Sequence, residues 1–205
     1  MSLLDSALAA PECVITVMGP HAGENASVIF ARKIADCRKV GRTFWVVKSP
    51  KARPEHVQAV CGAGTGWAIF VEPATAGGAR PTTESEAAVE YSADGNLWRP
   101  LPEGFSPVTG HMDRMAAALV LAEMTTDVDG ALDLWSYTDR ASAGRPLRFK
   151  LGLSTLCAVK GESGDHPDRM KSRYRRIVAV GRLVSPYGVW LRSLSNKGIE
   201  RTAAR

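Results

Sequence analysis

The chain has 205 residues, 45% of them hydrophobic and 23% charged, with 26 Lys+Arg against 21 Asp+Glu and a formal net charge of +5. That length and balance suit one full domain or two small ones with a substantial core, and exclude a chain that is disordered throughout. The first residues, MSLLDSALAAPEC, place no basic segment before an apolar run, and no uncharged apolar stretch approaches the ~18 residues a membrane span needs, so the reading is of a cytoplasmic protein with no leader and no membrane contact.

The first third alternates strand and helix signals. Residues 13–18 (CVITVM) are apolar and β-branched, as a buried strand requires. Gly19 to Gly23 break the chain, and Asn25 is placed to cap a helix over 26–39 whose inner face carries Phe30, Ile34 and Cys37. Gly41 supplies a left-handed stop. A second strand is expected at 43–47 (TFWVV), a short helix from Pro54 to Val60 and a third strand at 67–71 (WAIFV). This β-α-β-α-β order predicts a small, mainly parallel sheet with covering helices.

The pattern changes after Pro73. A Gly/Pro/Thr-rich loop leads into an alternating stretch at 84–91, and Asp94-Gly95 sits between that stretch and LWRPL, a strong hairpin signal. Residues 111–124 read as the main helix of this half, with Met115 and Leu119 on its inner stripe. Strands are expected at 132–137 and within 147–160. Residues 169–176 fit either a helix or a strand. Ser185-Pro186-Tyr187-Gly188 reads as a β-turn, which would make the C-terminal region a hairpin. The fold class is thus mixed α/β in a single domain over 1–205, with a sub-division into an α/β unit (1–75) and a β-rich half (82–195).

The charge is sorted by position. Residues 1–54 carry 8 basic and 4 acidic side chains, residues 55–140 carry 4 and 13, and residues 141–205 carry 14 and 4, giving +4, −9 and +10. Segregation of this kind points to an anionic partner for the basic end. The candidate nucleic-acid-binding residues are Arg169, Lys171, Arg173, Tyr174, Arg175, Arg176, Arg182, Trp190 and Arg192, with Tyr187 interleaved. Arginines and lysines neutralise phosphates, and aromatic rings stack on unpaired bases. The competing reading is that these arginines pair with middle-block carboxylates such as Glu84, Glu86 and Glu90, within one chain or between copies.

A second candidate is a phosphate site. Gly19, Gly23 and Asn25 lie in a strand-to-helix loop, and Lys48, Lys51 and Arg53 follow a strand directly. The loop lacks the spacing and the lysine of a P-loop, so a tight turn explains it better. The four histidines are scattered, the four cysteines are spaced as buried thiols rather than as a metal set, and no nucleophile or metal motif is present. No cofactor is implied. The leading expectation is a non-catalytic nucleic-acid-binding protein, DNA or RNA, in a nucleoprotein assembly. A small enzyme or sensor for a phosphorylated ligand, and a scaffold or homo-oligomer docking through opposed charge blocks, are the alternatives.

Overall fold

The computed structural model describes residues 1–18, 24–47, 49, 52–62, 64–73, 86–110, 115–141, 147, 155–161 and 173–195. The chain is a mixed α/β protein built on one large, mostly antiparallel sheet. Helix α1 (Leu3–Ala9) opens it, fixed by a capping box in which Ser2 and Asp5 satisfy each other's backbone N–H. Strand β1 (Glu12–Val17), helix α2 (Ala26–Val40), strand β2 (Thr43–Val47), helix α3 (Pro54–Cys61) and strand β3 (Gly66–Val71) follow where the apolar pattern places them. Gly41 ends α2 with φ 78° and a backbone bond to the Cys37 carbonyl. The hairpin at Asp94-Gly95 also forms: β4 (Glu86–Ser92) pairs antiparallel with β5 (Arg99–Pro100), Tyr91 opposite Arg99. Asp94 Oδ1 accepts from Asn96 N, Leu97 N and Ser92 Oγ and holds the turn. A two-residue strand β6 (Thr109–Gly110) pairs with β4 further along.

Three expectations are corrected. Residues 116–125 are not a helix but β7 (Ala116–Thr125), paired on one side with β2 and on the other with a later strand. The N-terminal strands do not form a mainly parallel sheet. β1 and β3 are parallel neighbours, but β2 joins β7 antiparallel, at the end of the order β2-β7-β11-β3-β1-β10-β9. Nor does the chain turn back at 185–188. After β8 (Ala131–Asp133), a 3-10 turn (Leu134–Ser136), β9 (Tyr137–Asp139) and β10 (Thr155–Lys160), it runs as one 20-residue strand, β11 (Tyr174–Ser193). Pro186, after a cis bond, and Tyr187, at φ 64°, form a bulge: Leu183 faces Leu121 and Gly188 faces Leu119, so 184–187 stand opposite Val120 alone. Gly188 is required there, because a Cβ would lie 2.9 Å from the Pro54 Cα of α3.

The bulge lets β11 change partners. Its first half pairs with β3 and β8, its last residues with β4, and β7 runs along most of it. Strands from before residue 75 and after residue 82 are therefore interleaved within one sheet. Alternation along the strands sends side chains to two covered faces. On one, α2 and α3 cover Val14, Phe70, Leu119 and Trp190, with Phe30 stacked on Trp45 at 5.3 Å. On the other, α1 and residues 132–137 cover Ile15, Ile69 and Ile177, while residues 101–108 cover Phe44, Val120 and Leu191. Each fully buried Phe, Leu or Ile contributes about 1.5–3 kcal/mol relative to exposure, so this apolar packing carries the stability of the sheet.

Candidate nucleic-acid interface

The described basic residues of the C-terminal cluster lie on β11 or just before it, and most of them meet a carboxylate of the same chain. Just before the strand, Arg173 donates from Nε and Nη2 to the two carboxyl oxygens of Asp133, at 2.8 and 2.5 Å. Arg176 Nη1 lies 3.2 Å from Glu72 Oε1, just past β3. Arg182 Nε lies 3.4 Å from Glu123 Oε2 on β7, its direct cross-strand partner. Arg192 donates from Nε at 2.7 Å to Glu90 Oε2, its direct partner on β4, with Nη2 at 2.6 Å from the same oxygen. All four carboxylates come from the acidic middle block. Arg175 Nη1 donates to the Tyr174 carbonyl at 3.3 Å. Glu86 does not pair with an arginine in the described structure; it accepts from Ser195 Oγ at 2.5 Å, and hydrogen bonds from Ser193 and Ser195 lower its carboxyl pKa. Arg169, Lys171 and Glu84 lie outside the described residues.

These arginines differ in how much solvent they meet. The Arg192 and Glu90 side chains are 17% and 14% exposed, and the guanidinium sits 4.1 Å from the centroid of the Trp98 ring. Trp190 is buried on the helix-covered face, and Tyr187 donates its hydroxyl to the Gly64 carbonyl at 3.0 Å. Arg192 and Trp190 are thus largely enclosed. The start of β11 is different. Tyr174 is 53% exposed, and the Arg173 guanidinium stands 5.2 Å from its ring centroid and 5.4 Å from that of Trp135. Asp133 organises the group. It also accepts from Trp135 N at 3.0 Å and Ser136 Oγ at 3.2 Å, and the Arg173 hydrogen bonds hold its carboxyl below the ordinary carboxylate range. Asp133 and Trp135 carry no local signal of this role, since they reach Arg173 from 40 residues away through the β8–β11 pairing.

Most of the candidate phosphate site lies outside the described residues. β1 and β2, which lead into its two halves, stand four places apart in the sheet, about 19 Å at the usual strand spacing, and run in opposite directions. Asn25 heads α2 without a side-chain cap bond, and Arg53 heads α3. Gly19, Gly23, Lys48 and Lys51 lie outside the described residues.

Among the described residues no three His, Cys, Asp or Glu side chains gather to hold a metal, and no helix is long and apolar enough to cross a membrane. The four cysteines are free and buried. Burial raises the thiols, Cys37 to about 11 and Cys61 and Cys157 to about 12, with Cys13 higher still, so none is a thiolate nucleophile near neutral pH. The fold and site thus describe an α/β protein with an antiparallel sheet and a cationic, aromatic corner. No protein-family model, curated protein or solved structure significantly matches the chain.

Proposed function

We propose that the protein binds nucleic acid through a contact confined to the start of β11, namely Arg173, Tyr174, Arg175 and Arg176. The observation that carries this reading is the 53% exposed Tyr174 ring beside the Arg173 guanidinium, on a stretch that also carries Arg175 and Arg176. A surface of that kind neutralises phosphates and offers a ring to a base. Trp190 and Arg192, included on sequence grounds, fall outside the contact, because Trp190 is buried in the core and Arg192 is paired with Glu90 in a largely enclosed site; Arg182 lies further along β11 than the proposed contact.

The narrowing has a measurable consequence. Log affinity for a single strand falls by roughly 0.7 per neutralised phosphate for each log unit of salt. Seven basic contacts would give a slope of about −5, and three give about −2. A salt titration followed by fluorescence anisotropy of a labelled oligonucleotide therefore tests the reading. The expected slope is shallow, and joint charge reversal at Arg175 and Arg176 abolishes binding. Absence of salt-sensitive binding, or binding that survives the reversal, overturns it.

A further inference from the structure

Resting on that reading, the geometry points to single-stranded nucleic acid as the substrate, with an unpaired base stacking on Tyr174. The support lies in how the ring is held. Asp133 grips the Arg173 guanidinium through two hydrogen bonds in a fork, at 2.8 and 2.5 Å. The same carboxylate takes the Trp135 backbone N–H and the Ser136 hydroxyl, so the 3-10 turn and the arginine are fixed by one group. The guanidinium then contacts two rings, Trp135 at 5.4 Å and Tyr174 at 5.2 Å.

Trp135 belongs to the partly buried fringe of the core beneath α1, so the group is anchored at its inner end. Tyr174, at its outer end, is 53% exposed. A ring 53% exposed on an ordered strand loses little conformational freedom when a base covers it, and gains the stacking contact. A duplex presents no unstacked base to such a ring. It meets only the guanidinium charge, two parts of which are already balanced by Asp133 and Glu72. Asp133 is a positioning residue in this scheme, Arg173 meets phosphate and flanks the ring, and Tyr174 makes the stacking contact.

The test compares an oligothymidylate with a blunt DNA duplex of equal length, using the full chain and anisotropy at low salt. Wild type is expected to prefer the single strand. Tyr174→Ala should weaken single-strand binding by about 5- to 150-fold, the equivalent of one lost stacked base, and leave duplex binding unchanged. Tyr174→Phe, which keeps the ring, should restore the preference. Because Tyr174 is exposed, a matched melting temperature verifies that the variants fold. Equal affinity for strand and duplex, or an unaltered Tyr174→Ala variant, overturns the stacking inference while leaving charge-driven binding in place. No binding to either probe overturns both.

Discussion

Lys33 is a buried charged side chain. It lies on the inner face of α2 beside Ile29, Phe30, Asp36 and Cys37, and is only 6% exposed. Asp36, one turn along, is committed elsewhere, accepting from Thr43 Oγ1 at 3.1 Å and from Ser106 N and Oγ at 3.0 and 2.7 Å. Among the described residues no ion pair holds the Lys33 amine, and burial lowers its pKa from 10.5 to about 8. The unfolded chain then binds more protons than the folded one between pH 8 and 10.5, so stability rises with pH across that window. Lys33→Met keeps the stem and removes the charge. The variant should be more stable than wild type below pH 8, by up to about 3 kcal/mol, and the gap should close by about pH 10.5. Denaturant melts of both proteins from pH 7 to 10.5 check this. A gap that does not change with pH would mean that Lys33 titrates as an ordinary surface lysine.

At the scale of the element, the ion pairs of β11 follow its sheet partners. Each neighbour supplies one carboxylate: Asp133 from β8, Glu72 from the end of β3, Glu123 from β7 and Glu90 from β4. In a strand that changes partners at a bulge, a slip of one residue would put every side chain on the wrong face, and cross-strand pairs of opposite charge select against it. The pairs differ in strength because they differ in exposure. Arg192→Met leaves Glu90 in a largely dry site and removes the contact with Trp98, and should destabilise by about 1–3 kcal/mol. Arg182 and Glu123 are 42% and 52% exposed, and Arg182→Met should change stability by less than about 1 kcal/mol. Double-mutant cycles on the two pairs measure the difference, and equal coupling energies would refute it. The strands and helices from Glu12 to Val71 were legible because their apolar periods and the stop at Gly41 agree with where they sit. β7 was not. AAALVLAEMT is rich in good helix formers and buried on both faces, so it shows no period of two, and only its pairing with β2 and β11 makes it a strand. Helix α1 did have a signal, the Ser2-x-x-Asp5 cap, in a stretch weighed only as a leader. Pro186 and Gly188 marked a real irregularity, but a turn and a bulge use the same residues, and long-range pairing decided between them. The corner at Tyr174 was half legible, since its arginines are local and its Asp133 and Trp135 are not.

For the whole molecule, the sorted charge follows from topology. The basic strand is last in the chain yet sits near the middle of the sheet, between β7 and β3, and the residues that receive it come from the acidic block between 55 and 140. Without β11 the sheet falls into β2–β7, β3–β1–β10–β9, β4 with β5 and β6, and β8 alone, and Ile177, Val180, Leu183 and Leu191 leave the three core clusters they join. A chain ending at Ser172 should therefore lack a cooperative thermal transition. A synthetic peptide covering 173–195 should restore one when added in trans, because it brings the missing core side chains and the four ion-paired arginines together. Apolar burial should supply most of that association, and charge should set its rate and register. Circular dichroism melts of the truncated chain with and without peptide give the first readout. Stopped-flow association at low and high salt gives the second, with slower association expected at high salt. A truncated chain that melts cooperatively alone would show that β11 is an addition to a sheet already complete. A salt-independent association rate would show that the opposed blocks play no part in bringing the strand home.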